Sequence, residues 1–81
     1  MEVSLLQLQS GRRARIKYLG GGLAFQRKLA SLNIRIGKTI KKIAAQPFGG
    51  PVVIEIGNTR VTLGRGIAMR ILLEVENEKI K

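Results

Sequence analysis

Histidine, cysteine, aspartate and tryptophan are absent from this 81-residue chain, and its five acidic groups are all glutamates: Glu2, Glu55, Glu74, Glu76 and Glu78. These gaps exclude most chemistry. Without imidazole or thiolate the chain cannot build the zinc, copper or iron–sulfur sites that depend on them, nor a Ser or Cys nucleophile driven by an imidazole base. The residues read as those of a non-enzyme with no cofactor and no metal site. Missing cysteines also remove the disulfide route to stability and fit a reducing compartment. Long apolar runs are missing too. No window approaches the ~20 apolar residues that span a bilayer, and the longest uncharged run, Ile43 to Ile54, is broken by Pro47, Gly49, Gly50 and Pro51. The stretch from Val3 to Leu8 follows Glu2, where a signal peptide needs cations. The expectation is a soluble cytoplasmic protein.

What is present points to one small folded domain. Hydrophobic residues make up 44% of the chain, a globular value rather than that of a solvated tail. From Arg13 to Leu19 the pattern alternates, with Arg13, Arg15 and Lys17 on one side and Ala14, Ile16 and Tyr18 on the other, which predicts a half-buried strand. Gly20, Gly21 and Gly22 break it. Phe25, Leu29 and Leu32 then recur at helical spacing, predicting a helix over 23–32 with Gly22 as N-cap and a left-handed Asn33 at its end. Lys38 to Gln46 is β-compatible, with the alternation slipping at Lys41 and Lys42 as across a bulge. Pro47-Phe48-Gly49-Gly50-Pro51 is a turn, and Gly57-Asn58 joins the strands around Val52–Ile56 and Thr59–Leu63 as a hairpin. A helical turn through Ile67, Ala68 and Met69 precedes a last strand, Ile71 to Val75. About five short strands and one helix predict a mainly β protein, a small and strongly bent barrel. Its core should include Leu29, Leu32, Ile54, Ile56 and Val61.

Candidate chemical motifs are weak. Gly37-Lys38-Thr39 ends like a phosphate-binding loop, but that loop needs glycine where this chain has Leu32. Glu74, Glu76 and Glu78 would share one face of an extended last strand, yet calcium wants six to eight oxygen ligands and a turn that the chain does not offer. Charge says more. Residues 1 to 70 hold thirteen Lys or Arg against two Glu, a balance of +11, whereas 71 to 81 hold two against three. The positive charge therefore belongs to the folded body, and it favours an acidic partner: nucleic acid, an anionic membrane or an acidic protein patch.

The ordered series "RKLASLNIRIG" (27–37), "QPFGGPVVIEI" (46–56), a "GNTRVTL" hairpin and "AMRILLE" resembles the FeoA family over nearly the whole chain, from about Leu5 to Val75. In that family Leu5, Leu8 and Gly11 would form the opening Leu-rich segment. Arg27, Leu29, Leu32, Ile34 and Gly37 would match the helix signature, and Ala68, Ile71 and Leu73 the closing pattern. Asn33 stands where the family usually has glycine, and Ile36 where it usually has proline. The resemblance implies an SH3-like barrel spanning 1–76, with 77–81 a short charged tail. It implies a cytoplasmic accessory of FeoB, the membrane GTPase and permease that imports ferrous iron, peripheral to the membrane only through that partner. The same domain also ends some metal-dependent repressors, whose DNA-binding part this length does not accommodate.

With no soft or borderline ligand in the chain, an adaptor acting by contact is the leading expectation. Arg13, Arg15 and Lys17 on the first strand and Arg27 and Lys28 on the helix are the candidate contact residues. Leu29, Leu32, Asn33, Gly37, Ala68 and Ile71 are the structural positions of the motif. The alternative is a basic barrel that binds nucleic acid through its phosphates, with affinity falling steeply with salt. Open strand edges also leave room for a homo-oligomer.

Overall fold

A computed structural model of the chain describes residues 1–75. Its elements are β1 (Glu2–Ser4), β2 (Arg13–Leu19), α1 (Leu23–Ala30), β3 (Thr39–Ala45), β4 (Val52–Ile56), β5 (Thr59–Leu63), α2 (Arg65–Ala68) and β6 (Ile71–Glu74). The strands form one antiparallel sheet in the order β1-β6-β2-β3-β4-β5. This is the small, mainly β arrangement that the alternating segments predict and the SH3-like fold that the resemblance implies, with one strand more than expected. β1 is only three residues long, too short to show a period, and is held by register with β6 from Glu2↔Glu74 to Ser4↔Leu72. The last strand ends at Glu74, and the tail expected over 77–81, like a strand running on to Glu76 and Glu78, lies outside the described residues.

α1 is shorter than its apolar spacing predicts because a Schellman cap closes it. Asn33 takes φ 68°, its N–H donates to the Ala30 carbonyl at 2.9 Å, and the Ile34 N–H donates back to the Leu29 carbonyl at 3.0 Å. That reversal overturns one expected core position. Leu32 lies beyond the last helical residue and is 41% exposed, while Ile34, thrown back by the cap, is fully buried beside Leu29. Ile54 and Ile56 are buried as expected, whereas Val61 is half-buried at the core margin. Leu29 is 1% exposed, so Leu29→Ala is expected to lower stability by about 2–5 kcal/mol, read from urea unfolding midpoints.

Two bulges decide which side chains face inward. In β2 the register with β6 shifts between Ile16 and Tyr18. Ala14, Ile16 and Leu19 are therefore buried, and Tyr18, expected on the apolar side, turns out to solvent at 55% exposure. In β3 the slip falls between Lys42 and Ala44, one step later than the pattern suggests. Lys42 thereby keeps the inward phase of Ile40.

Candidate functional site

The consequence at Lys42 is a buried cation: the residue is 4% exposed. Its Nζ donates to the carbonyls of Leu5, Leu6 and Leu8 at 3.0, 3.1 and 2.6 Å. An ammonium has three N–H donors, so this trio satisfies it completely. Those carbonyls end a single helical turn that a capping box opens. The Ser4 N–H donates to Gln7 Oε1 at 2.9 Å, and the Gln7 N–H donates to Ser4 Oγ at 3.3 Å. Burial lowers the Lys42 pKa, and the carbonyl acceptors work against that shift by favouring the charged form. Lys42 thus staples the chain's opening segment onto β3. It is a structural cation, not a contact residue.

The candidate contact cations fall into two groups. Arg13, Arg15 and Lys17 are exposed in alternation along the outer side of β2. Glu74 of β6, opposite Arg15 in register, lies 4.0 Å from Lys17 and accepts a 2.7 Å bond from the N-terminal ammonium. That bond, and behind it the charges of Lys17 and Arg15, hold the Glu74 carboxyl below its ordinary pKa. Glu74 offsets part of the β2 stripe. Arg27 and Lys28 are exposed on the last turn of α1, where positive charge complements the helix dipole.

Arg27 also borders a feature that periodicity does not reveal. An open groove of about 260 Å³ runs between α1 and the segment that follows its cap, lined by Leu19, Gln26, Arg27, Ala30, Ile34, Arg35 and Ile36. Its walls are apolar, and its two charged groups are both guanidiniums. Ile36 is 58% exposed at the rim, near the exposed Leu32. From Val3 through Ile54 the sequence contains no acidic residue. The groove thus groups Arg27 with Arg35 and leaves the β2 cations on another element. Arg35 was missed because a lone arginine in an irregular segment carries no periodic signal. The capping box Ser4-x-x-Gln7 was a readable clue to the turn that Lys42 caps.

Among the motif positions, Leu29, Ala68 and Ile71 are buried in the core. Asn33 and Gly37 take positive φ, 68° and 96°, on either side of Ile36. The description of the FeoA domain matches residues 3–75. The chain belongs to the FeoA family. It is 34% identical over 77 residues to a protein of Methanocaldococcus jannaschii whose name assigns it provisionally to Fe(2+) transport, as protein A. That match takes in 89% of this chain and 92% of the relative. The crystal structure of an iron uptake regulatory protein (FeoA) superposes with a TM-score of 0.81 at 28% identity, over 91% of this chain and 96% of that one. The solution structure of iron(II) transport protein A from Clostridium thermocellum reaches 0.83 at 34% identity, over 90% of this chain and 45% of that one. A manganese-dependent transcriptional repressor, 20% identical with a TM-score of 0.81, shares the fold. This FeoA domain has, among its described residues, no cluster of three or more His, Cys, Asp or Glu placed to hold a metal ion. Among the same residues no helix is long and apolar enough to cross a membrane.

Proposed function

We propose that this FeoA-family chain is an accessory of ferrous iron uptake that works without catalysis, by contact on the cytoplasmic side with the FeoB membrane GTPase-permease. The groove beside α1 carries the proposal. Its apolar floor, formed by Leu19, Ala30 and Ile34, accepts an apolar side chain, and Arg27 and Arg35 stand ready for carboxylates flanking that side chain. Lys28 and the β2 stripe of Arg13, Arg15 and Lys17 extend the same charge and would speed encounter with an acidic surface. A chain without His, Cys or Asp is poorly equipped to carry Fe(2+) itself, so its influence on transport runs through the partner. The test is co-purification of FeoB with wild-type chain and with an Arg27→Glu/Arg35→Glu variant, alongside iron uptake by cells bearing each.

One observation favours a second reading. Tyr18 faces solvent on β2 beside Lys17, so the sheet offers an aromatic platform among cations, the pairing that single-stranded nucleic acid uses. On this reading RNA or DNA binds at low salt and is lost as salt rises, with a log–log slope near −0.9 for each duplex phosphate contacted. Tyr18→Ala weakens the single-stranded complex by about tenfold, within the usual worth of one stacked base. No binding at low salt removes this reading and leaves the first intact.

A further inference from the structure

Among the described residues Phe48 is the most exposed large hydrophobic one, at 103% relative exposure. It sits at the tip of the β3–β4 hairpin, where Phe48 has φ 60° and Gly49 φ 76°. The Gly50 N–H donates to the Pro47 carbonyl at 3.3 Å, and the Gln46 N–H to the Pro51 carbonyl at 3.0 Å. Two successive positive φ angles inside such a bond describe a turn whose first central position suits Asn, Asp or Gly. Phenylalanine there bears left-handed strain and leaves its whole ring in water. Neither penalty is offset by the described residues, which leave the ring fully exposed.

The surroundings indicate what would meet it. Pro47 and Pro51 bracket the turn and restrict its backbone, so the ring is held out on a stiff support. Arg65, at the start of α2, lies against the same turn: a Cβ on Gly49 would come within 3.2 Å of its Cδ. The nearest acid of the hairpin, Glu55, stands opposite Lys41 and Arg60 in strand register. Otherwise the tip is small and featureless, with exposed Ala44, Ala45 and Gly49. A protein pocket for an aromatic anchor is usually framed by directional polar contacts, and the polar side chains that the described residues place against this turn are Arg65 and Gln46. A surface without fixed shape, apolar within and negative at its face, suits this chemistry better. The chain's net charge of +10 supplies the long-range attraction to such a surface.

We propose that the hairpin tip is a membrane-surface anchor, in which Phe48 enters the interface of an anionic bilayer and Arg65 meets lipid phosphates. It brings the protein to the membrane directly, not only through a transporter. The site is separate from the groove beside α1, so either can fail without the other.

The chain contains no tryptophan, which makes Phe48→Trp a sole fluorescent reporter at the tip. Protein-free vesicles of equal parts phosphatidylcholine and phosphatidylserine are expected to shift its emission to the blue, whereas vesicles of phosphatidylcholine alone leave it unchanged. Phe48→Gly relieves the turn and removes the ring. It should fold at least as well as the wild type by thermal unfolding, yet bind the anionic vesicles about tenfold more weakly, within the range for burying part of a phenyl side chain. Equal vesicle binding by the wild type and Phe48→Gly overturns the anchor, since charge alone then explains adsorption. A blue shift that needs a membrane protein in the vesicle, or that appears with rising protein concentration and no vesicle, overturns it in favour of a protein partner or a second copy.

Discussion

Replacing Lys42 by methionine is expected to lower stability by about 3–5 kcal/mol, because three carbonyl acceptors lose their donor and each buried acceptor left unsatisfied costs about 1–3 kcal/mol. The side chain keeps its length and most of its packing, so the loss isolates the ammonium. Three carbonyls, those of Leu5, Leu6 and Leu8, then lose their donor at the closed end of a helical turn. Water can reach the Leu6 oxygen more readily than the other two, which are buried. A domain of this size has only about 5–15 kcal/mol to lose, so the unfolding midpoint should fall by more than about 10 °C. Lys42→Arg should not restore it, because a planar guanidinium cannot point three donors at one convergent set of oxygens. A midpoint for Lys42→Met within a degree or two of wild type would show that the opening segment is not held by this contact.

The same residue makes a signed prediction for pH. Burial lowers the folded-state pKa of Lys42 below the ordinary lysine value of 10.5. The folded chain therefore releases this proton before the unfolded chain does, and the unfolded state binds more protons between the two values. In that window Lys42's contribution to stability rises with pH. A wild-type chain and Lys42→Met followed across that alkaline range should therefore differ in slope, the wild type gaining relative to the variant.

Arg27→Glu/Arg35→Glu is expected to weaken the proposed association with FeoB by about 100-fold or more, equivalent to about 2.7 kcal/mol, because the two attractive pairs the proposal requires become repulsive. Both side chains are exposed, so unfolding midpoints should move little. Iron uptake should fall in step with the lost contact. Reversing Arg13 and Lys17 instead tests the β2 stripe, whose role as an encounter surface should show in the variant as a slower on-rate with weaker salt dependence rather than a faster off-rate. Unchanged co-purification and uptake for the Arg27/Arg35 variant would exclude the groove as the docking site.

The two surfaces differ in how far the sequence exposed them. Arg13, Arg15 and Lys17 alternate, and a period of two is visible in any list of letters. Arg27 was visible as a helix-face cation. Its coupling to Arg35 was not, because the Schellman cap that carries Arg35 back across the helix end is a three-dimensional reversal at Asn33. Leu32 failed as a core position for the same reason: helical spacing was extended two residues past Ala30, the last helical residue before the reversal at Asn33. Tyr18 was misplaced and Lys42 left unplaced because of bulges, each of which changes side-chain parity without leaving a mark in composition.

Composition alone determined that this protein has no imidazole or thiolate chemistry, that its positive charge lies in the folded body, and that its segments alternate as a small β domain. These are properties of residue type and local period, and neither depends on what lies across the fold. Tertiary structure decided which lysine is a surface charge and which is a staple, which arginines share a groove, and that one phenylalanine stands alone in water. Each of those depends on backbone parity and chain reversal, where one inserted residue or one left-handed φ changes what a side chain faces.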